Sequence, residues 1–141
     1  KNESSGDPAA IDYRDWHVPL GRRFRALKLW FVLRSYGAEK LRDFVRSHVD
    51  WAKELEDRIQ ADGRFEVTAP RTLALVCFRH VGGNDLTKSL ADAVNASGTA
   101  YVTPSMIDDI QFIRVSIGST WTERHHVDAL WELIDLHGTP A

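Results

Sequence analysis

Asp12-Tyr13-Arg14-Asp15-Trp16-His17-Val18-Pro19-Leu20-Gly21-Arg22-Arg23-Phe24-Arg25-Ala26-Leu27-Lys28-Leu29-Trp30 crowds aromatic, cationic and apolar side chains around one proline and one glycine. A surface helix carries a single apolar stripe, and this stretch does not follow that pattern. Pro19 and Gly21 mark a turn. From Arg22 to Tyr36 the chain reads as a helix in which Phe24, Leu27, Leu29, Trp30, Phe31, Val32 and Leu33 are too dense for one face. That density predicts burial on several sides, with Gly37 as the stop. Left exposed, such a helix would form a large apolar patch. The residues alone therefore predict a partner surface on another domain or subunit.

Downstream, a helix from about Ala38 to Ala61 shows Leu41, Phe44, Val45, His48, Ala52, Leu55 and Ile59 at helical spacing. Asp62-Gly63 ends it. Phe65 to Thr68 alternates as a short strand, and Thr72 to His80 reads as a buried strand. Asn84 is placed to cap a helix carrying Leu86, Leu90, Ala93 and Val94. Thr99 to Thr103 and Ile110 to Ile117 read as two more strands, split at Pro104 to Asp109. Thr120 and Glu123 suggest a capping box for a last helix with Val127, Leu130, Trp131 and Ile134 on its apolar face. The order is α-α-β-β-α-β-β-α, with helices on one face of a small, largely antiparallel sheet.

Composition narrows the function classes. A length of 141 residues has room for one modest core. The formal net charge of −2 gives no electrostatic case for nucleic acid or anionic membrane. The basic cluster Arg22, Arg23, Arg25, Lys28 and Arg34 is read chiefly as a solvated or intersubunit surface. The single cysteine, Cys77, excludes an internal disulfide and fits a reducing compartment. It lies in an apolar run and reads as a buried, inert thiol. No apolar run reaches membrane-spanning length. The chain begins at Lys1 and its only methionine is Met106, so the natural start is expected upstream.

No metal pattern is visible. His125 and His126 are adjacent on a helix and should diverge, and His80 and His137 lack ligands at useful spacing. His48 reads as a satisfied core or interface histidine. The sequence holds no nucleophile elbow, phosphate-binding loop or dinucleotide fingerprint.

The order and identity of several blocks carry a resemblance. They are Asp12-Tyr13-Arg14-x-Trp16, Pro19 to Arg25, Leu27 to Arg34 and Ser35-Tyr36-Gly37. In the same order follow Arg46-x-His48-Val49, Asp62-x-Arg64-Phe65-Glu66, Leu75 to Arg79 and Phe112-x-x-Arg114. From about Asp12 to Leu136 the chain resembles the C-terminal segment of the aromatic-L-amino-acid decarboxylases, the group II pyridoxal-phosphate (PLP) decarboxylases. The resemblance implies an α/β fold of the aspartate-aminotransferase-like class, fold type I. It implies residues 1–11 as a mobile loop or tail, 12–37 as the end of the large domain with an interface helix, and 38–141 as the small α+β domain.

The activity so implied is loss of CO₂ from an aromatic L-amino acid to give the arylalkylamine, with PLP taking up the electrons. The implied assembly is a cytoplasmic homodimer that includes the N-terminal part of the same enzyme, with no nucleic acid or membrane partner. The family holds PLP through a lysine in a His-Lys pair. Lys1, Lys28, Lys40, Lys53 and Lys88 lack that context, so cofactor-binding residues are expected outside this chain, along with the loop tyrosine that assists protonation. Leu20 and Gly21 match positions that reach the substrate pocket from the neighbouring subunit. Arg14 matches a family arginine near the active-site entrance and mobile loop, which implies loop ordering or catalytic geometry, with a surface salt bridge to Asp15 or Asp12 as the alternative reading. Gly21 leans toward dopa- or tryptophan-type substrates, although a turn glycine is an equal reading. An aromatic acetaldehyde synthase of the same family is the first alternative, histidine or glutamate decarboxylation a further one. A non-catalytic α+β interaction module is the alternative from another class.

Overall fold

The computed structural model describes residue 21 and residues 23–139. The chain divides into two compact units, Lys1–Gly37 and Ala38–Ala141.

In the first unit, α1 spans Arg25–Tyr36 and ends at Gly37, whose φ of 77° and N–H bond to Leu33 O (2.9 Å) form the stop. Phe24 precedes the helix without a side-chain cap, and the helix starts three residues later than the pattern suggests. The expected burial does not occur. No α1 residue is buried, and Leu29, Trp30 and Phe31 are 61%, 54% and 55% exposed. Among the described residues of its unit, none packs over it to form a core.

In the second unit, α2 (Ala38–Ala61) buries His48, Ala52, Leu55 and Ile59, spaced four, three and four apart. Its first turns carry Glu39–Arg42 and Asp43–Arg46 ion pairs. Four strands follow: β1 Phe65–Thr72, β2 Leu75–His80, β3 Thr103–Ile107 and β4 Ile110–Ser116. They form one antiparallel sheet in the order β1-β2-β4-β3. Between the two hairpins lies α3 (Asn84–Ala96), and α4 (Arg124–His137) closes the chain. Burial alternates along β2, with Val76, Phe78 and His80 inward, and Ile113 and Val115 point inward from β4. They meet Leu55 and Ile59 of α2, Leu90 and Val94 of α3, and Leu130 and Ile134 of α4. The opposite face of the sheet stays open.

Several local expectations shift. β1 runs through Pro70 as far as Thr72, with register irregularities on either side of Ala69. Thr72 to His80 is not one strand, because Leu73-Ala74 forms a two-residue turn with Leu73 at φ 51°. β3 lies at Thr103–Ile107, not Thr99–Thr103, and Asp108-Asp109 make a tight turn with φ of 49° and 62°. Asn84 does not cap α3. Its side chain bonds Asp109 O and the Gln111 N–H (2.8 and 3.0 Å), tying the helix start to the β3–β4 hairpin. Within α3, Thr87 and Ala91 take buried positions assigned to Leu86 and Ala93. At α4 the N-cap is Glu123, whose N–H donates to His126 Nδ1 (3.0 Å), and Thr120 takes no part.

A polar junction fixes the end of α4. The Arg64 guanidinium grips Asp62 (Nη2–Oδ2 2.6 Å) and donates to Asp135 O and Thr139 Oγ1 (3.0 and 2.9 Å). His80 accepts the Gly82 N–H on Nδ1 (2.9 Å) and reaches Gly138 O from Nε2 (3.1 Å). Hydrogen bonding from Arg64 holds the Asp62 carboxyl below the usual carboxylate range. A carboxyl depressed in the fold stabilises fully above its ordinary pKa, and the contribution fades as pH falls through the lower folded value. The wild-type chain should therefore lose more stability than Asp62→Asn between neutral pH and pH about 3 in urea melts. Parallel losses in the two proteins would remove Asp62 from this account.

Candidate functional site

Of the residues singled out in the opening motif, Arg14 and Leu20 lie outside the described residues, as do Trp16, Pro19 and Arg22. Gly21 is described and exposed. A Cβ built on it meets no atom of the described residues within 4 Å.

α1 presents an exposed apolar surface. Phe24, Ala26, Leu27, Leu29, Trp30 and Leu33 line an open groove of about 480 Å³. Trp30 and Phe31 pack edge to face with centroids 5.2 Å apart, and the Arg34 guanidinium sits 5.9 Å from the Trp30 ring. Arg23, Arg25 and Lys28 lie on the same exposed segment. Aromatic rings beside arginines are the composition of an interface hot spot. Contiguous exposed apolar surface of this kind marks an interaction site.

The described lysines are set as surface groups. A lysine that holds the cofactor must be desolvated and lose its proton. Lys88 instead is exposed, bonds Asp92 (Nζ–Oδ2 2.6 Å), and is held more firmly protonated by that carboxylate. Lys28, Lys40 and Lys53 are exposed on helices. None of these four lines the α1 groove. No group of three or more metal-ligating side chains occurs among the described residues. No described helix is long and apolar enough to cross a membrane.

Three expectations about cysteine and histidine side chains need correction. Cys77 is half-buried, not buried, because the helices cover only one face of β2 and the thiol lies on the other, paired across the sheet with Arg114. Partial burial still pushes the thiol pKa up, with Arg114 opposing, so it stays protonated. The His125 and His126 rings do not diverge. Their centroids are 3.9 Å apart, because both turn toward Glu123 in the first turn of α4. His48 is buried as expected, but its Nε2 has no hydrogen-bond partner.

The open face of the sheet carries a second groove, of about 420 Å³, that sequence reading did not single out. It mixes the cross-strand ion pair Glu66–Arg79 and Asp108 with Ile107, Ile110 and Phe112. Apolar residues on both faces of β4 were its available signal.

The sequence profile of the family described as pyridoxal-dependent decarboxylase conserved domain matches residues 2–81. Tyrosine decarboxylase 4 of Petroselinum crispum is 45% identical over 148 residues, covering 97% of this chain and 29% of its own length. The crystal structure of Oryza sativa TDC with PLP and tryptamine superposes with a TM-score of 0.79 at 41% identity, over 90% of this chain and 29% of that one. The 4-hydroxyphenylacetaldehyde synthase of Rhodiola rosea gives 0.80 at 44%, with the same coverage. The chain thus spans about 30% of the length of the curated relatives it matches. Its antiparallel sheet and helices are part of a fold type I, PLP-dependent architecture. On these grounds, the chain belongs to the pyridoxal-dependent decarboxylase family.

Proposed function

We propose that the chain is the C-terminal part of a PLP-dependent carboxy-lyase that converts aromatic L-amino acids of the dopa, tyrosine or tryptophan type into arylalkylamines and CO₂. The observation that carries this reading is likeness at 40–45% identity to tyrosine, dopa and tryptophan decarboxylases along nearly the whole chain. PLP supplies the electron sink and is held by residues outside these 141. The protein works as a cytoplasmic homodimer, in which the bare apolar surface of α1 packs against the rest of the enzyme. Residues 12–37 close the large domain, and residues 38–141 form the small domain. Arg14 orders the mobile loop, and Leu20 and Gly21 wall the substrate side-chain pocket of the neighbouring subunit.

The test is product analysis. The full-length enzyme, loaded with PLP, should release amine and CO₂ from at least one of L-dopa, L-tyrosine and L-tryptophan. A second reading has its own support, because an acetaldehyde synthase is as similar to this chain as the decarboxylases are. That enzyme would give aldehyde and hydrogen peroxide in place of amine. Turnover of none of these three acids, nor of L-histidine or L-glutamate, would favour a non-catalytic module.

Gly21→Ser tests the pocket assignment. None of the described residues comes within 4 Å of a Cβ at this position, so none of them opposes serine. An effect on turnover then reports the substrate side. The substitution should lower kcat/KM for indole substrates more than for phenols, by a differential of about 1–3 kcal/mol. Equal losses on both classes would take Gly21 out of the pocket.

A further inference from the structure

The apolar stripe of α2 outruns the core it serves. Ala52, Leu55 and Ile59 join the hydrophobic core. One turn earlier, His48 is 3% exposed and lies against aromatic rings, edge-on to Phe44 at 4.1 Å and tilted toward Trp51 at 5.1 Å between centroids. Earlier still, Phe44 is half-buried and Val45 is 53% exposed. His48 Nε2 is buried and makes no hydrogen bond, the one side-chain nitrogen or oxygen of this kind among the described residues. A polar atom sealed from water without a partner is costly, and folded proteins rarely leave one so.

α2 lies within residues 2–81, the stretch that matches the family's conserved domain, and most of the relatives' length lies outside this chain. We propose that the N-terminal half of α2 docks against the preceding part of the same polypeptide, and that this contact delivers a polar group to His48 Nε2. The inference rests on the reading above that such a part exists. Phe44 and Trp51, which cover the imidazole, are themselves only half-buried. An arriving side chain therefore reaches the ring by displacing a surface aromatic and leaves the core closed. Imidazole Nε2 donates or accepts according to its tautomer, so a hydroxyl, amide, carboxylate or main-chain group would serve.

The experiment compares His48→Phe and His48→Gln in the full-length protein and in the 141-residue chain. Phenylalanine keeps the ring and removes the nitrogen, whereas glutamine keeps a polar end. In the full-length protein, His48→Phe should lower the apparent Tm by about 2 °C or more, and His48→Gln by less. In the 141-residue chain, His48→Phe should leave Tm unchanged or raise it, because it removes an unpaired buried atom. An unchanged or higher Tm of the full-length phenylalanine variant overturns the proposal, and an N–H directed at the Phe44 ring then suffices. An equal loss in both proteins overturns it as well, since the partner would then lie in this chain. Should the short chain fail to fold, the contrast between phenylalanine and glutamine in the full-length protein still decides. Amine formation is assayed in parallel. Its absence in the wild-type protein would count against the enzymatic reading alone, because the docking claim is read from Tm.

Discussion

Phe78→Ala should destabilise the chain by about 3–5 kcal/mol. Phe78 is fully buried at the centre of the sheet, paired with Val67 on one side and Ile113 on the other. Its ring meets Phe65 edge to face, with centroids 5.8 Å apart at 90°. The helices above it share one core with residues of three strands, so no single side chain is free to collapse into the space left. The lost transfer free energy then adds to the cost of a residual cavity. A small domain is stable by only about 5–15 kcal/mol, so this one change removes a large part of the total. Urea denaturation followed by tryptophan fluorescence measures it. A loss under about 1 kcal/mol would mean that the core does not centre on β2.

Gly138→Ala should cost about 1–3 kcal/mol, an unusually large effect for adding one methyl group at the end of a helix. The reason is space, not backbone freedom. Gly138 has φ −77° and ψ −5°, a conformation open to any residue. A Cβ there would overlap Phe65 Cζ and come within 2.7 Å of Ile134 O. The second contact is with main chain of the same helix end and does not yield as a side chain does. Relief would move Gly138 O away from His80 Nε2 and loosen the junction at Arg64. Gly37→Ala provides the contrast. Its Cβ meets nothing within 4 Å, and its cost would come from the positive φ of 77° alone. Thermal melts of the two variants, with hydrogen exchange at the end of α4, would show loosening there in Gly138→Ala only. Unchanged exchange and stability in Gly138→Ala would contradict the packing at Phe65.

The elements that could be read from sequence are those whose local signals agree with their packing. α2 runs from Ala38 to Ala61 as its periodicity and Gly63 suggest, and the order of all eight elements follows from hydrophobic pattern and turn residues. The misplaced strands share a cause. Pro70 and Pro104 argue for breaks, yet each sits in a strand at an edge of the sheet, where a missing N–H does not interrupt a ladder on both sides. The Leu73-Ala74 turn contains no glycine or asparagine to announce it. It is propped instead by Arg71, which bonds Leu73 O and Glu56 of α2 (both 2.9 Å). Asn84 and Thr120 match local capping patterns, but contacts distant in sequence claimed Asn84 and His126 supplied the cap at Glu123. In α1 the density of apolar residues leads one to expect burial, and none of the described residues covers it.

The claim on which the proposed activity depends is that this chain walls a PLP pocket whose anchoring lysine lies elsewhere in the enzyme. Borohydride reduction of the PLP-loaded, full-length protein fixes the cofactor to its lysine, and peptide mass spectrometry then locates the pyridoxyl group. The account predicts a single modified lysine, outside these 141 residues. A pyridoxyl group on Lys1, Lys28, Lys40, Lys53 or Lys88, or no modified lysine in a protein that retains PLP, would contradict it.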